Sequence, residues 1–322
     1  MPRVRRDPSQ LMTADVVSVE DPLANPRTHR RRHPPWIAYA FLAPNILGVL
    51  AFTLVPLVGG VLISFTKWDV VSGLQGIRWV GLANFANLLH DASFGHALVR
   101  TLLFVLITVP VTVLLGLALA IALNQPIPGQ GALRAIFFLP YVVNIIAIGT
   151  VWLIMYNPQS GLINRTLRAF GISSPPGWLI DQWWALPSLM LISIWAGIGY
   201  VAVIYLAALQ DMPIDLHEAA MVDGAGIWTR FRTITWPALL PTTMFLVITN
   251  MISSSQGFGM IAFLTQGGPG SASTTASYYM YQNGFMYYRF GYAAAVGFTM
   301  FLGVFVFTSI LWRWQRDRGL YA

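Results

Sequence analysis

The sequence predicts an all-α, polytopic membrane protein that crosses the bilayer about six times, and three features lead there. Of its residues, 56% are hydrophobic and only 10% are charged, with a mean hydropathy of +0.62; soluble domains carry about 25% charged residues. Six apolar runs are each long enough for a spanning helix, which needs roughly 20 residues. All twelve Asp and Glu residues fall outside those runs. A chain this apolar has too little polar surface to cover itself in water, so lipid is its expected solvent.

The runs lie near 37–65, 98–123, 134–156, 186–208, 240–263 and 290–312. The first is too long, and begins too deep in the chain, for a cleavable signal peptide, so it reads as a retained span. Turn formers and charge separate the later runs, as in Asn124 to Gly131, Asn157 to Gly177 and Gln266 to Thr275. Pro44, Pro56, Pro110 and Pro140 stand inside or at the edges of spans. Each removes a backbone donor, a loss that neighbouring helices can compensate. They are read either as tolerated kinks or as gating hinges.

Basic residues orient the spans. The formal charge is +7, and seven of the 19 basic residues (Arg3, Arg5, Arg6, Arg27 and Arg30 to Arg32) precede the first run. Arg134, Arg230, Arg232, Arg313, Arg316 and Arg318 flank spans on that same side. Lys67, Arg78, Arg100, Arg165, Arg168 and Arg289 are spread over the longer loops opposite. The positive-inside rule then puts both termini and the 209–240 loop in the cytoplasm. Residues 1–35 read as a basic cytoplasmic tail, expected to be flexible and to rest on the membrane through its arginines; 36–322 form the transmembrane domain. The tail contains no aromatic residue to stack on a base, which argues against nucleic acid as a partner.

Several chemistries are excluded. There is no cysteine, so thiol catalysis, disulfides and cysteine-ligated metal sites are ruled out. The single lysine, Lys67, follows Thr66 rather than glycine, so the chain has no phosphate-binding loop of the Walker type. His217-Glu218 begins like a zinc-protease motif but meets Met221 where the second histidine belongs. No catalytic residue, metal site or cofactor is expected in this chain. Ion-coupled transporters place ionisable groups at mid-membrane; the absence of acidic residues from the runs disfavours that alternative, as it does a channel of that kind.

The 209–240 loop contains a short helix too brief to span. Pro213 suits a first helical turn, Asp211 and Asp215 put negative charge at the positive helix end, and Gly224 is a natural stop. Ala219 and Ala220 keep one surface slim enough to enter a groove on another protein. Glu218 offers a charge for a partner's arginine. A second helical stretch, Ile227 to Trp236, leads through Pro237 and Pro241 into the fifth span.

Uncharged polar residues inside spans are candidates for a solute pathway. Ser193, Gly197 and Tyr200 share one face of the fourth span; Asn250, Ser253, Ser254 and Gly257 share one on the fifth, with Gln256 close by. Amides and hydroxyls suit sugar hydroxyls, and tyrosine offers a stacking surface. The competing use of such residues is helix–helix packing.

Glu218-Ala219-Ala220, Asp223-Gly224-Ala225, Phe231, Ile234, Pro237 and Pro241 resemble the EAA loop of binding-protein-dependent ATP-binding-cassette (ABC) importer permeases. Gly81-Leu82-Ala83-Asn84-Phe85 and Leu264-Thr265-Gln266-Gly267-Gly268-Pro269 resemble further segments of the maltose and glycerol-phosphate branch. The resemblance covers about residues 36–315 and implies the type I importer permease fold, with a coupling helix between spans four and five that seats in an ATPase. On that likeness Glu218, Ala219, Ala220, Asp223, Gly224, Ala225, Phe231 and Pro237 are coupling residues. It further implies a second permease subunit, two ABC ATPases that bind ATP and magnesium, an extracytoplasmic solute-binding (lipo)protein, and a sugar-like solute lying mid-membrane. The expected location is a bacterial or archaeal inner membrane.

Overall fold

A computed structural model describes residues 35–316; the basic tail before Pro35, and Arg318, lie outside the described residues. The chain divides into one unit ending at Leu54 and another beginning at Val55. In the first unit, α1 (Pro35–Val49) includes Pro44 and runs into a π-helical turn, Leu50–Leu54.

The second unit opens with α2 (Val55–Ser64), followed by a two-residue ribbon in which β1 (Thr66–Lys67) pairs antiparallel with β2 (Arg78–Trp79). Then come α3 (Ala83–His90), α4 (Ala92–Leu123), α5 (Gln130–Val142), α6 (Ile145–Met155) and α7 (Leu162–Ala169). The chain continues through α8 (Ala185–Gln210), α9 (Ile214–Val222), α10 (Ile227–Arg230), α11 (Trp236–Ser255), α12 (Phe258–Leu264), α13 (Ala276–Tyr281) and α14 (Phe290–Arg316).

Among the described residues, five helical stretches are long and apolar enough to cross a membrane: Phe41–Ser64, Ala92–Leu123, Ala185–Gln210, Ile227–Ser255 and Phe290–Arg313. A sixth crossing is supplied if α5 and α6 count as one span, but they meet at 98°. The apolar run expected over 134–156 is therefore broken in two. Pro140 withholds an N–H near the end of α5, and the Asn144 side chain accepts from the Ile146 N–H at 2.8 Å to start a fresh helix. The fifth span also departs from expectation. It ends at Ser255 rather than near 263, and Gly257 stands in the break before α12. Gly257 consequently does not share a helical face with Asn250, Ser253 and Ser254, because the 3.6-residue period stops before reaching it.

Packing in lipid gains little from apolar burial and depends on close van der Waals fit. The main core joins Val109, Val113 and Leu117 of α4 to Val201 and Tyr205 of α8 and to Leu239 and Leu246 of α11. Inside it the Tyr205 hydroxyl donates to Thr243 Oγ1 at 2.9 Å, leaving no polar tip unpaired. Another core gathers Trp152, Tyr156, Leu189, Ile261 and Tyr278. Glycine sets the spacing. A Cβ on Gly116 would lie 2.4 Å from Val201 Cγ1, and one on Gly199 would lie 1.8 Å from the Phe137 carbonyl oxygen. Outward faces stay apolar, with Leu106, Leu114 and Ile154 all exposed, as lipid-facing helices require.

The contact at Gly199 is backbone against side chain, so it cannot relax by a rotamer change. Gly199→Val is expected to cost more than about 3 kcal/mol, beyond ordinary overpacking, and to lower the melting temperature or prevent recovery of the protein in detergent. Gly259→Ala, whose Cβ would stand 3.7 Å from Ile145 Cγ2, is expected to be tolerated in the same thermal-shift assay.

Candidate functional site

Between the ends of α8 and α11 lies the short helix α9, with no buried residue of its own. Its C-terminus closes as a Schellman motif. The Gly224 N–H donates to the Met221 carbonyl at 3.0 Å and the Ala225 N–H to the Ala220 carbonyl at 2.9 Å. Gly224 adopts φ +77°, a left-handed conformation in which a side chain is strained. Pro213 differs slightly from expectation: it stands just before the first turn rather than in it.

Glu218, Ala219, Asp223 and Gly224 are exposed, and Ala220 and Ala225 are half-buried. Ile214, Met221, Val222, Ile227 and Trp228 are also open. The result is an apolar surface with acidic groups, held at both ends. Phe231 fixes the return path. It stacks on Trp228 at 5.6 Å between ring centroids, reaches Trp236 at 6.4 Å, and packs against the α4–α8–α11 core. The backbone there widens into a π-helical turn, Phe231–Thr235, in which the Trp236 N–H bonds to the Phe231 carbonyl just before Pro237. Pro237 itself is exposed at the start of α11. Behind α9 a cavity of about 700 Å³ is lined by Asn124, Gln125, Met212, His217, Arg230 and Phe231, among others. In the sequence His217 registered only as half of an incomplete zinc-protease motif and Asn124 only as the start of a turn-forming stretch; their proximity depends on how α4 and α8 end together.

The pathway candidates separate into two environments. Gly197 faces α4, where a Cβ would come within 3.0 Å of Thr112 Cγ2. Tyr200 stacks on Tyr141 of α5 at 4.5 Å and 15°, and Ser193 is half-buried. On α11, the Asn250 amide donates to its own helix at the Leu246 carbonyl (2.8 Å). Ser253 is exposed and Ser254 half-buried. Gln256 lines a cavity of about 680 Å³ walled by Phe258, Tyr281, Phe285 and Phe301, with Ser255 and Ser277 as polar points. That cavity exists because the fifth span breaks at Gln256–Gly257 and lets α13 and α14 close over the gap. Hydropathy did not reveal it.

The segment Leu264–Pro269 folds into a pinned turn. Gly267 has φ +79°, and a Cβ there would meet Thr274 Oγ1 at 2.5 Å. The Ser273 hydroxyl donates to the Gly268 carbonyl, the Thr274 hydroxyl to that of Gly267, and the Ala276 N–H to Thr101 Oγ1 on α4. Close to this turn, Asp91 ties three elements. One oxygen accepts from the Ser93 and Phe94 N–H groups and caps α4; the other accepts from the Tyr279 and Tyr292 hydroxyls, each at 2.5 Å. Burial pushes the Asp91 carboxyl up, but the two hydroxyls and two amides outweigh it and hold the group below its usual range.

The family described as binding-protein-dependent transport system inner membrane component matches residues 80–316. The chain belongs to this family. Its permease character accords with relatives of similar length. It is 34% identical to the sn-glycerol-3-phosphate transport system permease protein UgpA of Agrobacterium fabrum, over 89% of this chain and 97% of that one. It is 33% identical to the trehalose/maltose transport system permease protein MalF of Thermococcus litoralis, over 87% and 95%. In structure it is similar to a chain of a bacterial alginate ABC transporter solved with an alginate pentasaccharide-bound periplasmic protein, with a TM-score of 0.74, 25% identity, and coverage of 88% and 94%. The permease is thus a membrane-spanning transport subunit and not an enzyme, and ATP hydrolysis belongs to a separate ATPase.

Removing the Asp91 acceptor orphans two hydroxyls and two helix amides. Asp91→Ala is expected to lower stability by about 1–3 kcal/mol, read as a fall in melting temperature. The sign with pH follows from the depressed folded-state value: the ionised carboxylate's contribution is complete above its unfolded value near 3.9 and fades as pH falls below it. Melting temperature should therefore be insensitive to this group between about pH 5 and 8. The gap between wild type and Asp91→Ala should narrow only in stronger acid.

Proposed function

We propose that this permease forms half of the translocation pathway for a sugar-like solute delivered by an extracytoplasmic binding protein. In this reading it pairs with a second, similar permease subunit, and α9 is the seat for an ATPase subunit that binds ATP and magnesium. The observation that carries the proposal is α9 itself. It is a helix too short to span, open along its length, closed by the Gly224 cap and tied back to the spans through Phe231. Force applied at Glu218 or Met221 has only the short connections 211–213 and 223–226 to cross before it reaches α8 and the helical return into α11.

Three further points support the assignment. Relatives of nearly equal length carry names for maltose/trehalose, lactose and glycerol-3-phosphate permeases, so a sugar or sugar-phosphate class is favoured. Arg134, Arg230 and Arg232 flank the α9 side of the spans, which suits a cytoplasmic location by the positive-inside rule and cytoplasmic termini with it. The Gln256 cavity combines aromatic walls with a few polar groups, the composition that sugar rings need. Asn250, Ser253 and Ser254, on α11 but outside that cavity's lining, are the further proposed solute contacts, with Ser193, Gly197 and Tyr200 on α8 lending packing and a stacking surface.

Glu218→Arg is expected to abolish ATP-driven uptake in the reconstituted complex while leaving membrane insertion intact; wild-type transport by that variant would sink the coupling role of α9. The triple change Asn250→Ala, Ser253→Ala and Ser254→Ala should impair transport or solute-dependent ATP hydrolysis by about tenfold, since each lost hydrogen bond contributes roughly 0.5–1.5 kcal/mol. Unaltered affinity and rate would remove those residues from the pathway. Accumulation of solute on an ion gradient by this chain alone would favour an ion-coupled transporter instead.

A further inference from the structure

Two cavities open at the end of α4 remote from α9, and they join. With 32 residues α4 is about 48 Å long, so its two ends lie on opposite sides of a hydrocarbon layer about 30 Å thick. The first cavity, of about 420 Å³, is lined by His96, Arg100 and Arg289. The second, of about 660 Å³, takes in Lys67 and the β1–α3 region. Tyr287 and Arg289 belong to both linings, which makes one groove with Arg289 at its joint.

The groove is basic where it is open. It also holds two carboxylates: Asp69, whose backbone bridges that of Arg289, accepts from the Val71 N–H at 2.9 Å through one oxygen, and Asp91 is filled by two tyrosine hydroxyls and two helix amides. Arg100 reaches Ser271 Oγ at 3.4 Å, and among the described residues neither it nor Arg289 forms an ion pair. Lys67, Arg100 and Arg289 therefore outnumber the two carboxylates in the groove's lining, and neither arginine is ion-paired to one of them. The walls behind are rigid, because Asp91 locks the start of α4 to α13 and α14, and the Gly267 turn is pinned to α4 through Thr101.

We propose that this groove receives an acidic segment of the extracytoplasmic binding protein, with a carboxylate of that protein seated against Arg100 and Arg289. The inference rests on the transport reading above, which supplies such a partner and places this end outside. A protein segment suits the groove better than a lipid headgroup. Much of the wall is built from β1, α3 and the 282–289 turn, which lie outside the candidate spans. Its mixture of tyrosine, tryptophan and arginine is the composition enriched at protein interfaces. Two guanidiniums offer paired, charge-assisted donors that fit a carboxylate, and an open basic groove speeds encounter with an acidic partner.

The test uses the complete complex, both permease subunits with the ATPases, in proteoliposomes, and follows ATP hydrolysis against the concentration of solute-loaded binding protein. For Arg289→Gln the half-saturating concentration is expected to rise by about tenfold, with a further rise when Arg100→Gln is added and partial recovery in Arg289→Lys. The difference from wild type should shrink at about 1 M salt, where screening acts over only a few ångströms. Arg165→Gln removes the same charge from an exposed face of α7 outside the groove and is expected to leave half-saturation as it is. Co-purification of the ATPases in wild-type proportion shows that each variant has folded and assembled. Equal half-saturation in wild type and both glutamine variants would overturn the proposal while leaving the transport reading in place. So would a shift that disappears when anionic lipid is omitted from the vesicles, which assigns the groove to headgroups. A well-assembled wild-type complex that no binding protein stimulates would overturn the transport reading itself.

Discussion

The contact between α8 and its neighbours at Gly116 and Gly199 is the constraint on which the rest of the second unit depends. A Cβ at either position would overlap a side chain or a backbone carbonyl, so α4 and α5 approach α8 only because those side chains are absent. Lipid supplies no hydrophobic drive to hold the helices together; close fit and a few buried hydrogen bonds, such as Tyr205 to Thr243, must do so. With that core rigid, the ends of α4, α8 and α11 are fixed relative to one another. The position of α9 at one end and of the basic groove at the other follows from them.

Rigidity in the centre also explains why the polar chemistry gathers at the helix ends. In hydrocarbon every N–H and C=O needs an internal partner, which straight helices provide and broken ones do not. Several breaks in this permease are accordingly repaired by a named side chain. Asn144 caps α6 where α5 stops, Asp91 caps α4, and Ser273 and Thr274 satisfy the carbonyls of the Gly267–Gly268 turn. The same breaks open space between helices, as at Gln256–Gly257, where the aromatic cavity lies.

Local features were legible in the sequence, and long-range ones were not. The α9 helix declared itself through Asp215, the alanine pair and Gly224, because capping is decided within a few residues. Five of the six apolar runs appeared as spans, since lipid imposes length and composition directly. Pro140 marked a kink or hinge, but the size of the bend at Asn144 was hidden, because the residues on both sides are equally apolar and hydropathy averages over them. Gly257 was misplaced on the α11 face for a related reason: helical spacing holds only while the helix continues. The Asp91 tie joins residues 188 and 201 positions apart, and no local pattern signals such a pairing. Arg100 and Arg289 registered only as topological charges, since their shared groove exists solely in three dimensions.

The two ends of the molecule then differ in a way that fits the proposed direction of transport. At the α9 end the open surface is apolar and acidic, suited to a partner that stays bound and transmits force through Phe231 into α8 and α11. At the other end the open surface is polar and basic over a pinned scaffold, suited to a partner that arrives quickly, is recognised by charge and leaves again. Apolar burial favours long-lived contacts, whereas exposed charge pairs chiefly raise association rates and weaken with salt. A permanent motor on one face and a transient carrier on the other is the division of labour that these two surfaces favour, and the unbroken, proline-containing α4 spans the distance between them.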